Sequence, residues 1–231
     1  MSRKIFFLLV AVVLFLWALC LIGCKKNETV EPSEPEIKLN LEYGTVTDVE
    51  GNIYKTVKIG NQWWMAENLK VTKDPAGKII ESFCYNNDES NANILGRLYS
   101  WDVAMNKSKT PGAQGIAPNG WHIPTAKDWD TLISTLGGYS VAGGHLKTTV
   151  GGFWLAPNTG ATNMSGFTAI AAGEIDRGKH WQYGESAVFW SSNETDQDNA
   201  VYVYLDYDKK RITKTSFFKN VMKYSIRCIK N

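Results

Sequence analysis

The chain has 231 residues, with 25 lysines and arginines against 23 aspartates and glutamates. Its length fits one domain with a tether, and an aromatic content of 12% is far too high for a disordered protein. So even a charge balance leaves no long-range field to draw in nucleic acid.

The first residues carry their own pattern. Arg3 and Lys4 form a short basic head, and Ile5 to Ile22 is an unbroken apolar run of 18 residues. That length is borderline for a membrane span, so the end of the run decides the reading. Leu21-Ile22-Gly23-Cys24 resembles the lipobox of bacterial lipoproteins, in which small residues admit a peptidase and the cysteine sulfur takes a diacylglycerol. Residues 1–23 are therefore expected to be a lipoprotein signal peptide, with lipid attachment at Cys24. The alternative is an uncleaved anchor helix that happens to contain a cysteine. Cleavage would remove two basic groups and no acid, leaving 208 residues with 23 basic against 23 acidic side chains. Residues 24–40 follow as an acidic, flexible tether with four glutamates and two prolines after Cys24. The domain is expected over 41–231.

GTVTDVEGNIYKTVKIGNQWWMAENL reads as strands joined by tight turns at Glu50-Gly51-Asn52 and Gly60-Asn61. A polar loop and a short helix follow, with Ser100 as its N-cap and Trp101, Ala104 and Met105 on one face. In GWHIPTAKDW, Pro124 ends an extended segment, Thr125 stands as N-cap, and Asp128 stands three residues on as in a capping box. Trp129, Leu132, Ile133 and Leu136 form one helical stripe, and Gly137-Gly138 stops it. His122 lies between Trp121 and the proline turn with no carboxylate at base spacing, so it reads as scaffold rather than as a catalytic group. Residues 139–165 are rich in Gly, Thr and Asn and read as long irregular loops. Strand-like pieces return in GFTAIAAGEI, AVFWSSNE, AVYVYLDYDKKRITKTSFF and YSIRCIK. In the third of these, Val201, Val203 and Leu205 face away from Tyr202 and Tyr204. The sum is α+β: an antiparallel sheet, two short helices and long loops.

Six blocks, WMAENL (64–69), CYNNDES (84–90), GRLYSW (96–101), GWHIPT with DW (120–129), FWSSNE (189–194) and SIRCIK (225–230), resemble the Fibrobacter succinogenes major paralogous domain. That family occurs in bacterial lipoproteins and surface proteins. The resemblance runs over about residues 44–230 and implies a distant C-type-lectin-like fold. HIPTAKDW is similar to a helix start of the formylglycine-generating-enzyme relatives, and SIRCIK to their closing strand. The blocks themselves read as scaffold.

The chemistry of those relatives does not carry over. Lys209 to Tyr224 holds no cysteine, APN (156–158) lacks a leading carboxylate, and WSSN (190–193) is not the calcium-binding WND strand. No cofactor and no metal site is expected. Asp88-Glu89 and the cluster from Asp196 to Asn199 lack calcium-loop spacing and read as solvated turns. Cys84 and Cys228 allow one disulfide, against the alternative of two buried free thiols. Glu174 and Asp176 stand close enough in sequence to be considered a glycosidase pair, but alternation alone says little about a useful carboxylate separation.

The loop GEIDRGKHWQYGES (173–186) concentrates mixed charge and aromatics between two strands. Asp176, Arg177, Lys179, His180, Trp181 and Tyr183 are the expected ligand-binding residues, facing a glycan or a protein patch. The alternative has Trp181 and Tyr183 covering the core edge. The expected protein is a non-catalytic binding module at the bacterial cell envelope. It is held by its lipid, in the outer membrane by preference, and its partner is a glycan or an envelope or surface protein. A structural or assembly component is the second reading and an enzyme the third.

Overall fold

The computed structural model describes residues 37–231, which form one compact unit. The expected signal peptide, Cys24 and the tether up to residue 36 lie outside the described residues. The folded unit reaches back past the expected boundary at 41, because Leu39 as well as Leu41 packs on the core.

The elements in chain order are β1 (Glu42–Thr47), β2 (Ile53–Ile59), β3 (Gln62–Met65), α1 (Ala92–Leu95), α2 (Trp101–Ala104), β4 (Trp121–His122), α3 (Ala126–Thr135) and α4 (Ala142–Leu146). Then come β5 (Glu174–Asp176), β6 (Lys179–Trp181), β7 (Ser186–Glu194), β8 (Asn199–Asp206), β9 (Ile212–Phe218), β10 (Met222–Lys223) and β11 (Ile229–Lys230). They build three sheets, in the orders β1-β2-β3-β11-β4, β10-β5-β6 and β7-β8-β9. Every pairing between these strands is antiparallel. The class is thus antiparallel sheets with few short helices.

The helices begin where the caps predict. The Ser100 side chain accepts from Val103 N, and Trp101, Ala104 and Met105 are buried. Thr125 and Asp128 close a full capping box: Asp128 N donates to Thr125 Oγ1 at 3.1 Å, and Thr125 N to Asp128 Oδ2 at 2.8 Å. The stripe of Trp129, Leu132, Ile133 and Leu136 is buried throughout. Among the described residues there are four short α-helices, against the two expected. One of the additions, α4, lies in the stretch read as irregular. Its sequence, AGGHL, is poor in helix formers. Packing explains its glycines: a Cβ on Gly143 would stand 2.4 Å from Arg211 O, and one on Gly144 2.2 Å from Gly160 O.

Two cores share the strands between them. Val188 and Trp190 of β7 enter one, with Tyr54, Trp101, Trp121 and Tyr224. Ala187 and Phe189 enter the other, with Trp64, Trp129 and Phe167. Because β7 is buried on both faces from Ser186 to Ser192, it shows no polar alternation: Ala187 to Trp190 is an unbroken apolar run flanked by buried serines. In β2 the two cores are served in turn: Tyr54 points into the first, and Val57 and Ile59 into the second.

The six sequence blocks meet in space. Trp101 Nε1 donates to Ser191 O and Trp190 Nε1 to Tyr99 O, a reciprocal indole tie between GRLYSW and FWSSNE. Ser192 N donates to Pro124 O, and Ala126 N to Asn193 Oδ1, so FWSSNE also fixes the start of α3. Arg227 of SIRCIK donates through Nε to Asn68 Oδ1 of WMAENL at 2.6 Å. The blocks are scaffold in the literal sense.

Candidate functional site

A cleft of about 420 Å³ opens between the β10-β5-β6 sheet and one face of the β7-β8-β9 sheet. On β8, the side chains of Tyr202, Tyr204 and Asp206 are spaced by two and share the face opposite the buried Val203 and Leu205. Tyr202 and Tyr204 stack with centroids 6.1 Å apart, and Tyr224 closes on Tyr202 at 5.1 Å. Phe217 of β9 completes this aromatic wall.

Opposite stand the acids. Glu174 and Asp176 share a face of β5, and Met222, paired with Asp176 across the ladder, lies on the same face. Burial, reinforced by the Asp176 carboxylate, pushes the Glu174 carboxyl up to about 7. No other side chain among the described residues bonds Glu174. Asp176 is held by Arg177 Nη1 at 2.9 Å, and Asp206 by Lys209 at 2.8 Å. The cleft therefore offers ring faces on one wall, with Asp206 beside them, and the Glu174 and Asp176 carboxyls on the other, a combination suited to a ligand with hydroxyls and a flat face.

The hairpin that brings Glu174 and Asp176 there depends on two glycines. Arg177 (φ 46°) and Gly178 (φ 80°) form a two-residue turn with both φ values positive. Gly173 lies with a would-be Cβ only 2.4 Å from Trp181 O, so no side chain fits.

The expected site residues divide. Asp176 lines the cleft, with Arg177 bonded to it. Lys179 and Trp181 pair with Asp176 and Glu174 across the hairpin and so lie on the cleft-facing side. Trp181 is 51% exposed and is not among the lining residues. His180 points the other way: its Nδ1 accepts from Asn86 N at 3.2 Å and its ring meets Tyr85 edge-on. Tyr183 packs on Tyr85 at 5.1 Å. These two hold the 84–90 loop to the hairpin. The three tyrosines, Phe217 and Glu174 are among the lining groups that the expected ligand set left out. The alternation of Tyr202, Tyr204 and Asp206 was the available signal, but nothing local says which sheet they oppose.

His122 requires a correction. A carboxylate does reach it: Asp128 Oδ2 is 3.3 Å from Nε2, because the Pro124 turn folds the start of α3 back onto β4. Nδ1 lies 2.7 Å from Asn231 Oδ1. Burial works to lower the His122 pKa, but the hydrogen bonds to Asp128 and Asn231 outweigh it and hold the pKa above the usual histidine value. The same Asp128 oxygen accepts from Thr125 N and Oγ1, so this pair belongs to the capping box.

The disulfide held open by the sequence is not formed; both thiols are buried and free. Cys84 sits beside Glu89 and Arg97, whereas Cys228 lies inside the first core, where burial pushes its thiol pKa up. Asp88 and Asp196 use their oxygens on neighbouring turn groups: Asp88 accepts from Ser90, and Asp196 from Asp198 and Asn199. Among the described residues no three His, Cys, Asp or Glu side chains gather where a metal would sit.

The chain belongs to the Fibrobacter succinogenes major domain family, whose model matches residues 57–230. No curated protein and no solved structure matches it.

Proposed function

We propose that the protein is a cell-envelope lipoprotein, anchored through Cys24, whose domain binds a saccharide in the cleft between β5 and β8. The observation that carries this reading is the Tyr202–Tyr204 stack facing Glu174 and Asp176 across about 420 Å³. Aromatic faces bury the apolar side of a sugar ring while carboxyl groups take its hydroxyls. A concave site of this kind favours a glycan over a flat protein patch. Lys179 and Trp181 extend the same face towards the rim. The lipobox at Leu21 to Cys24, with its basic head and apolar run, supports an envelope location, and outer-membrane sorting is the preferred one. The finer fold assignment is C-type-lectin-like: the last strand joins the first ones in a single sheet, and long segments stand between the sheets.

The domain is read as binding without turnover. The placement of Glu174 and Asp176 on one face of β5 in the cleft favours a catalytic alternative, and burial that raises the Glu174 carboxyl to about 7 accords with it.

A glycan array probed with the full chain in detergent tests the proposal, followed by titration of the best hit. Tyr202→Ala and Tyr204→Ala should each weaken binding by about 2 kcal/mol with the fold intact. Trp181→Ala should cost less. Capture of one envelope protein with no glycan hit would favour the assembly role. Hydrolysis of an aryl glycoside, lost in Glu174→Gln, would replace binding by catalysis. Palmitate labelling that survives Cys24→Ala would remove the anchor.

A further inference from the structure

A second cleft, of about 290 Å³, lies on the side of the domain formed by β2, α1 and the segment after β3. Arg227 forms part of its wall and is 1% exposed. All of its hydrogen bonds go to neutral acceptors: Asn68 Oδ1 at 2.6 Å and the carbonyls of Met65 at 3.2 Å, Phe167 at 2.6 Å and Thr168 at 3.0 Å. A guanidinium has five N–H groups, and these bonds use four, leaving one on Nη2. No carboxylate bonds it. A buried charge without a counter-ion is costly, and it is most often compensated by pairing. Two more cations line the same cleft, Lys55 and Lys70, and among the described residues neither has an ion-pair partner. The one acid in the lining is Glu67, whose Oε2 accepts from Lys55 N at 2.6 Å.

We infer that this cleft binds a carboxylate, with Arg227 as the buried counter-charge and Lys55 and Lys70 as its outer contacts. Three cations against one acid favour an anion. The single open N–H on Nη2 and the presence of Glu67 favour a singly charged group over phosphate, whose second charge Glu67 would repel. Ile94 and Phe153 in the lining give the carbon part of the ligand a surface. Burial pulls the Arg227 pKa down to about 9, with Glu67 acting against it, and the guanidinium rests over the Phe167 ring at 4.7 Å, a contact that leaves its open N–H unbonded.

The carboxylate could be carried by a sugar or by a small free acid, and calorimetric titration of the full chain in detergent separates the two. The probes are D-glucuronate, acetate, D-glucose and inorganic phosphate. Glucuronate binding without acetate binding means a sugar-borne acid, and equal binding of both means the carboxylate alone is read. Either supports the inference if Lys55→Glu and Lys70→Glu each weaken it at least tenfold at unchanged melting temperature. Glu67→Gln, which keeps the acceptor and removes the charge, should tighten binding severalfold. Tyr202→Ala should leave it unaltered. Phosphate binding without carboxylate binding, binding that survives both charge reversals, or binding lost in Tyr202→Ala would each overturn the inference. So would the absence of carboxylate binding.

Discussion

A carboxyl group that keeps its proton into the neutral range can donate a hydrogen bond where its neighbours can only accept. Glu174 is such a group, titrating near 7 against 4.5 for an ordinary glutamate. Between these values the folded chain holds a proton that the unfolded chain has released. The contribution to stability is therefore complete below about 4.5 and is lost as the pH rises through about 7. Glu174→Gln should flatten that decline, which chemical denaturation at a series of pH values would read; an unchanged slope would show that Glu174 is solvated. Lys147 is the opposite case, a buried cation in the Gly- and Thr-rich stretch. Its ammonium donates to the carbonyls of Thr159, Asp206 and Lys209, each at 2.9 Å, and burial lowers its pKa to about 8. The sequence offers Glu174 only as a neighbour of Asp176, and it does not announce Lys147 at all; the burial of neither is visible there. Burial of an ionisable group comes from contacts with residues far along the chain, and local pattern carries no record of them.

At the scale of elements, local chemistry was far more legible. The Ser100 and Thr125 caps, the stripe of α3 and the alternation of β8 all depend on neighbours within a turn or two, and all appear in the structure. What depended on distant partners did not. The glycines of α4 make sense only against the 160 and 211 backbones. The contact of His122 with Asp128 needed the chain to fold back at Pro124. The cleft itself lies between two sheets whose relative placement no local signal carries. Only Asp176 of the expected ligand set lines it, and the tyrosines that do were read merely as one side of a strand. The capping box can be tested directly. Thr125→Ala should cost about 1 kcal/mol through loss of the N-cap. Trp129→Ala should cost about 3–5 kcal/mol by emptying the second core. Equal losses in the two variants, measured by denaturant titration, would mean that α3 is held by something other than its stripe.

At the scale of the molecule, the two cores are not independent, since β7 and β8 supply both. A lesion in either should therefore be felt as one cooperative loss. The closing strand is equally shared. Ile229 pairs with Trp64 on one side and His122 on the other, and Lys230 with Trp121. Deleting residues 229–231 should abolish the folded state, so that circular dichroism shows no cooperative melt; a normal melt would mean that the sheet can close without β11. Because β3 and β4 both precede β11 in the chain, the space between them stays open during synthesis until residues 229–230 have left the ribosome. Termination anywhere upstream of residue 229 should leave the same gap as the deletion.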